Sequence, residues 1–504
     1  MLACVTACEG DDPFDGPLEV MGPVATESTL VYTDLGRDEL VFVRPGDERL
    51  GVTRRSVDDD ERTRVMWMQP TRDGKSVLVL TAPTSDKHED VEKQLHRFPA
   101  TGDQPPVVYP VHAPFDAIAQ SPDHKRAVLY FSGAGSSAPL QNANQVAIVD
   151  LTSKEARNLT LAGFGGRLSS VHFPGQAAPG ESTSIEVGGR ARELVAFLAQ
   201  GEVVLVDMAD PASNQVAVTF GGAGFEPVAT MLRPGNELFA QPALFLRSNT
   251  GHDVAILTLV GHGSGQGFTT QISLIPVGGS AGDFVVHDGP EVPYLVTASA
   301  AKVVFTDVRT HQSFEVGLSE SASRVYLRDH DRSGTLVRQA VAWTPGGRRL
   351  HTLDLDGIEH TLGRKAHELQ IQTGIDDLVR LDNDRVLVGS GSNLYVVDLG
   401  ADQVTPLTAR VPYDATSSAL DGNLLLLGTQ GQSWLSRVDL SSLNPESMVL
   451  DDPIRSFHYL SAERKIVVTH EDPVGHVTVV RASDPSRSTS YAVWGILLEG
   501  MLDR

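Results

Sequence analysis

Gln145-Val146-Ala147-Ile148-Val149-Asp150-Leu151-Thr152-Ser153-Lys154-Glu155-Ala156-Arg157-Asn158-Leu159-Thr160-Leu161 reads as a strand ending in an apolar–Asp–apolar triplet, a polar turn, and a second short strand. The triplet returns as Val206-Asp207-Met208, Thr306-Asp307-Val308, Leu353-Asp354-Leu355, Val397-Asp398-Leu399 and Val438-Asp439-Leu440. Degenerate copies fill the gaps, and successive copies are roughly 41 to 57 residues apart. A recurrence at that period marks a propeller or solenoid array. An Asp at such a position caps the following turn by accepting hydrogen bonds from backbone two residues on.

Around this stretch the other strands fall into place. In 113–161, Phe115–Gln120, Ala127–Phe131, Gln145–Leu151 and Ala156–Leu161 are four strands joined by turns, and 367–409 runs the same way. Ten units follow: 28–57, 62–110, 113–161, 166–220, 224–277, 281–318, 321–364, 367–409, 411–450 and 453–493. No amphipathic helix of ten or more residues is evident. Short strands at this period favour an all-β fold, a single β-propeller of four-stranded blades around an axis. Ten units are counted and seven to ten blades are compatible with the pattern; two adjacent smaller propellers also match the count. The first unit offers only three strands, and Trp494–Leu502 is one strand surplus to the tenth. The expectation is that this C-terminal strand completes the first blade and closes the ring, leaving no open edge. Residues 28–504 are then the propeller and 1–27 an N-terminal tether.

Gln69-Pro70-Thr71-Arg72-Asp73-Gly74-Lys75 and Ser121-Pro122-Asp123-His124-Lys125, each followed by an apolar strand, resemble the S-P-D-G-K turn of TolB-like and WD-repeat-like bacterial propellers. The resemblance is one of turn chemistry. It implies the architecture and leaves the activity open.

Composition narrows the function. The chain of 504 residues is 41% hydrophobic and 21% charged, with a formal net charge of −23 and no basic run. That balance argues against binding a phosphate backbone, which needs clustered Lys and Arg. No apolar run of 18 residues suggests a membrane span. Both cysteines lie in the first eight residues, so the body offers no disulfide, Cys-based zinc site or thiol nucleophile. Val5-Thr6-Ala7-Cys8 resembles a bacterial lipobox with Cys8 as the lipidated residue, and Glu9–Pro23 suits a flexible spacer. Two readings stand: a lipid anchor at Cys8, or a tail with two incidental cysteines.

Asp329-His330-Asp331-Arg332-Ser333-Gly334 has the spacing of a calcium loop, with Asp329, Asp331 and Ser333 as side-chain ligands, but Ala340 stands where the bidentate Glu belongs. A plain hairpin turn is the competing reading. His470-Glu471-Asp472-Pro473-Val474-Gly475-His476 places two imidazoles and two carboxylates within seven residues, a zinc-type donor set through His470 and His476 or a solvated loop. Gly74-Lys75-Ser76 lacks the upstream glycine of a phosphate loop, and Gly261–Gly267 reads as a glycine-rich loop.

Strand alternation puts second-to-third and fourth-to-first loops on one face. Three long loops, 82–94, 132–144 and 470–476, share that face, and Asp86, Glu89, Asp90, Glu92, Glu471 and Asp472 make two of them acidic. Long loops on a rigid scaffold concentrate binding. The insertion Pro174–Arg192 projects from the opposite face. The expectation is a cell-envelope propeller, lipid-anchored in the periplasm or at the cell surface, that binds or scaffolds a protein or polysaccharide partner. No cofactor is required by this reading, with calcium or zinc as the candidates if one is bound. The alternative is a metal-dependent, lactonase-like hydrolase using the central channel, for which Asp116, His172 and His458 are inward-facing candidates.

Overall fold

The structure is a computed structural model. It describes residues 20–495 except 36–37, 58–62, 84–92, 133–141, 165–166, 174–183, 213, 222–224, 236–238, 249–251, 263–266, 280, 289–291, 333–334, 357–364, 391–392, 408–417, 422–423, 473–474 and 485–489. The described residues contain strands and no helix. Ten four-stranded antiparallel sheets, the blades of a β-propeller, account for all but one two-stranded hairpin. The strands belong to two compact units, 1–108 with 409–504, and 109–408. The first holds blades 1, 2, 9 and 10; the second holds blades 3 to 8.

Within a blade the four strands meander in sequence order, and burial follows position. The second strands are the most buried, fully so in Leu194–Ala199 and Pro293–Ser299. Each is covered on both faces by neighbouring sheets, so it reads as a continuous apolar run rather than an alternation. The outer strands are half solvated; Phe268–Pro276 of blade 5 buries only Phe268 and Ile275. Clusters of buried side chains span adjacent blades. Val128, Val146 and Ile148 of blade 3 pack on Val195, Phe197, Val204 and Val206 of blade 4. Removing a Val, Leu or Phe side chain from water contributes about 1.5–3 kcal/mol, so these contacts dominate the stability of each unit.

The turns obey the chemistry expected of them. Asp73 accepts from Thr71 Oγ1 (2.7 Å) and Lys75 N (3.1 Å), with Gly74 at φ +68°. Asp123 does the same with Ser121 Oγ (2.6 Å) and Lys125 N (3.2 Å), and His124 takes the glycine's place at φ +63°. The recurring third-strand aspartates cap their turns. Asp150 accepts from Thr152 N (2.8 Å), Asp307 from Arg309 N (2.8 Å), Asp398 from Gly400 N (2.9 Å) and Asp439 from Ser441 N (2.8 Å).

The first blade corrects the expected closure. Its innermost strand is Val20–Ala25, paired with Leu30–Asp34, and not the C-terminal segment. The sequence reading put these residues in the tether because Gly22-Pro23 interrupts them; the register shifts between Met21 and Val24, which sets the pair aside as an irregularity and leaves flanking residues paired. Trp494 and Gly495 belong to no strand, and 496–504 lie outside the described residues. Blades 1 and 10 nevertheless pack together within the first unit. Leu30, Tyr32, Val41 and Val43 meet Leu460, Val467, Val477 and Val479. Lys465 Nζ, almost fully buried, donates to Pro45 O (3.1 Å), and Tyr491 Oη donates to Gly46 O (2.9 Å). His367–Gln370, counted by sequence in the eighth unit, is the outer strand of blade 7. No helix among the described residues is long and apolar enough to cross a membrane.

Candidate functional site

Blade 7 differs from its neighbours in the length of its first hairpin. Arg324–Arg332 and Thr335–Trp343 are nine residues each, but only Gln339–Ala342 pair with the third strand, Arg349–Asp354. The rows Asp329–Arg338, His330–Val337 and Asp331–Leu336 therefore run past the edge of the blade. At about 3.3 Å per residue the overhang is roughly 10 Å. Directly opposed residues share a face, so Arg328, Gln339, His330 and Val337 form one side and Asp329, Arg338, Asp331 and Leu336 the other.

The first side is turned to blade 8. Arg328 is 2% exposed and spends its whole fork there. Nε donates to Gln339 Oε1 (2.8 Å), Nη1 to Asp384 Oδ1 (2.8 Å) and Nη2 to Leu399 O (3.0 Å). Burial lowers its pKa from the usual arginine value, and Asp384 opposes that shift. His330 Nδ1 lies 3.2 Å from the same Asp384 oxygen, while Gln339 Nε2 donates to Asp354 Oδ1 (2.6 Å). The planar guanidinium suits this bidentate role between blades, and a lysine could not replace it.

Above this clasp opens a cleft of about 380 Å³, lined by Arg328, His330, Gln339, Thr352, Asp354, Lys365, His367, Gly400 and Asp402 among others. His367 Nε2 and Asp402 Oδ1 meet at 2.9 Å on its rim, both half exposed. Lys365 is exposed beside them. The lining is mostly polar and of mixed charge; Leu336, 68% exposed, lies near the tip of the overhang on its other side. Such a site can hold a charged or hydrogen-bonding group of a partner, and its own charges are fixed by one another.

The residues singled out from the sequence fall elsewhere or take other roles. Cys8, Asp86, Glu89, Asp90, Glu92 and Ser333 lie outside the described residues. Asp329 and Asp331 are strand residues of the blade 7 hairpin, not a loop wrapped around an ion. Asp329 is held by Arg338 through Nε (2.6 Å) and Nη2 (3.1 Å), because directly opposed positions of opposite charge attract. Glu471 and Asp472 follow the second strand of blade 10, and Asp472 N donates to His470 O (2.9 Å).

His470 ends the second strand of blade 10 and His476 immediately precedes the third, and their rings stack with centroids 4.2 Å apart. Trp494 continues the ladder at 3.4 Å and 8° from His476. His470 Nδ1 donates to Pro453 O (3.1 Å) and Nε2 meets Thr478 Oγ1 (2.8 Å), so both nitrogens are used. His476 Nδ1 is 2.9 Å from Asp452 Oδ2, and burial, then His470, lower its pKa. Stacked imidazoles carry their in-plane lone pairs side by side, which is packing geometry rather than a converging ligand pair. Among the described residues no group of three or more His, Cys, Asp or Glu is placed to hold a metal ion.

Of the channel candidates, Asp116 accepts from Ser132 N (2.6 Å). His172 and His458 lie on the innermost strands of blades 4 and 10. Each is bonded to a serine two residues before it, at 2.9 and 3.3 Å. Burial lowers the pKa of both, that of His458 to about 4. The insertion after the first strand of blade 4 forms the hairpin Ile185–Val187 and Arg190–Arg192, whose Ile185 and Val187 join the core beside Leu259 and Phe268 of blade 5. Sequence reasoning missed Arg328, Lys365, His367, Asp384 and Asp402. No motif or spacing joins them.

No protein-family model matches the chain, and no curated protein does. Among solved structures it is similar to the dihydro-heme d1 dehydrogenase NirN in complex with DHE, at 14% identity over 73% of each chain and a TM-score of 0.43. It is also similar to a eukaryotic initiation factor, at 10% identity over 95% of this chain and 96% of that one (TM-score 0.42). The third is AztD from Citrobacter koseri, at 10% identity over 71% and 92% (TM-score 0.35). Likeness at this level carries no argument about function, and the propeller assignment stands on the blade topology described above.

Proposed function

We propose that the chain is a binding or scaffold propeller that engages a protein partner at the cleft between blades 7 and 8. The observation that carries this reading is the overhanging hairpin Arg324–Trp343, whose Arg328, Gln339 and His330 side forms one wall of a polar cleft and whose opposite side carries the exposed Leu336. A hairpin that runs past its blade, polar on the side that lines the recess and with an exposed apolar residue on the other, gives a partner both hydrogen-bonding and apolar contacts. The polar groups of Arg328, Asp384, Gln339 and Asp354 are engaged with each other, which favours positioning a partner over chemistry on it. The lipobox-like Val5–Cys8 supports a lipid-anchored setting at the cell envelope.

A photo-crosslinking residue at position 336 tests the docking site in the full chain, with a crosslinker at the exposed Ile272 of blade 5 as the control. One discrete adduct at 336, absent at 272 and lost when Lys365→Glu is added, is the expected result. No adduct at 336, or an adduct equal at both positions, would overturn the assignment. Mass spectrometry of the N-terminal peptide for an acylated Cys8 checks the anchor separately.

A further inference from the structure

Blade 10 ends in a ladder of flat rings. Its register closes with Thr469 on Val477 and Val477 on Val493, and the next residues outward are His470, His476 and Trp494. His470 N donates to His476 O (3.0 Å), so backbone pairing continues into this row. The rings stack at 4.2 Å and 3.4 Å, with planes 23° and 8° apart. Both imidazoles are buried, whereas Trp494 is 53% exposed and forms the outermost rung. Asp452 joins the ladder from the connection between blades 9 and 10. Its Oδ2 is 2.9 Å from His476 Nδ1, and its side chain is 40% exposed. A carboxylate therefore stands at the edge of the ring that lies against the indole.

A groove of about 180 Å³ adjoins the ladder. Thr478 belongs to both, because it lines the groove and its Oγ1 meets His470 Nε2 at 2.8 Å. Thr478 pairs with Ala492, another lining residue, two positions along from His476 and Trp494, which is about 7 Å. The rest of the lining comes from the end of blade 9, including the buried Met448 and Leu450 and the exposed Asp451. Charge here has one sign. Segments 448–453, 470–478 and 490–494 hold Asp451, Asp452, Glu471 and Asp472 and neither Lys nor Arg. His476 adds no positive charge at neutral pH, because burial, then His470, lowers its pKa.

An aromatic face beside carboxylates attracts a cation. Among biological cations the guanidinium is planar and stacks on rings, which suits a ladder already built of parallel planes. Its methylene stem covers apolar surface of the kind that Met448 and Leu450 supply. We propose that Trp494 and the groove between blades 9 and 10 form a binding site for an arginine side chain of a protein partner. The guanidinium stacks on the indole as the fourth rung, Asp452 and Asp451 are its counter-ions, and the stem lies in the groove. The site belongs to the first unit and is independent of the cleft between blades 7 and 8.

The test uses the full chain labelled with 5-fluorotryptophan, which gives four indole resonances, that of Trp494 assigned by its loss in Trp494→Phe. N-acetyl-arginine amide, titrated at constant ionic strength set by sodium chloride, should shift the Trp494 resonance saturably and leave the other three in place. N-acetyl-citrulline amide keeps the shape without the charge and should bind about tenfold more weakly. Asp451→Asn, at an exposed position, should weaken arginine binding about threefold, and Trp494→Leu, read by calorimetry, about fivefold. Glu155→Gln removes an exposed carboxylate of the other unit and should leave the affinity unchanged. No saturable shift, an equal response to the citrulline analogue, or an affinity unchanged in both Asp451→Asn and Trp494→Leu would overturn the site. A Trp494 shift produced by maltotriose at lower concentration than by the arginine analogue would make the platform a saccharide site and overturn the cation assignment.

Discussion

His458 supplies a pH dependence whose sign and size follow from its place in the fold. It sits on the innermost strand Ile454–Leu460 of blade 10, with Nε2 3.3 Å from Ser456 Oγ, itself 2.7 Å from Thr469 Oγ1. Burial holds its pKa at about 4, against an ordinary histidine value of 6.5. Between those two pH values the unfolded chain binds a proton that the folded chain refuses, so acid favours unfolding. The folded state keeps its full stability above pH 6.5, loses it as pH falls from 6.5 to 4, and loses no more from this group below pH 4. At 1.36 kcal/mol per unit the whole shift is worth about 3 kcal/mol, and the ring's partial exposure trims this towards 2. The perturbation is His458→Gln, which keeps a hydrogen-bonding group for Ser456 and cannot titrate. Denaturant unfolding of wild type and variant at intervals from pH 8 to pH 4 gives two stability curves, in which all other titrations are common to both. The gap between them should change by about 2–3 kcal/mol across pH 6.5 to 4, in the variant's favour at the acid end. Parallel curves would refute the reasoning and mean that His458 is protonated freely in the folded state.

Two further outcomes concern the blade 4 insertion. Arg192 and Asp207 form a buried pair (Nη1–Oδ2, 2.9 Å; side chains 2% and 6% exposed), with the guanidinium 5.2 Å over the Phe268 ring. Asp207→Ala should cost about 3–5 kcal/mol by stranding the buried charge, and the double variant Arg192→Leu/Asp207→Asn should cost less than Asp207→Ala alone, as read by unfolding midpoints. Gly261 lies so close to the hairpin turn that a Cβ there would be 2.3 Å from Gly188 Cα. Gly261→Ala should displace the hairpin, destabilise by about 1–3 kcal/mol and expose the bond after Arg192 to trypsin; an unchanged digest would contradict the packing.

The blades were legible because their determinants are local or periodic. The second and third strands announce themselves as runs of Val, Leu, Ile and Phe, since both faces are covered. The turns announce themselves as Asp, Ser, Thr and Gly at fixed offsets. Val20–Ala25 escaped because Gly22-Pro23 carries the strongest loop signal in the segment, and only pairing with Leu30–Asp34 overrides it. Asp329 and Asp331 were misleading for the reverse reason. Their alternate spacing is shared by an ion loop and by one face of a strand, and the hairpin register chooses the strand.

The same distinction explains why the cleft between blades 7 and 8 could not be read in advance. A capping bond such as Thr152 N to Asp150 spans two residues, so any copy of the repeat displays donor and acceptor at a constant offset. The bonds that build the cleft cross from one blade to the next: Arg328 reaches Asp384 over 56 residues and Leu399 over 71. In Arg126 and Glu193 a comparable crossing spans 67. These separations are set by blade and loop lengths, which vary from copy to copy, so no fixed offset marks the partner. Lateral contacts between blades therefore carry what distinguishes this propeller from its own repeat, and substitutions that alter its binding should concentrate at inter-blade positions such as Lys365 rather than in the repeated Asp turns.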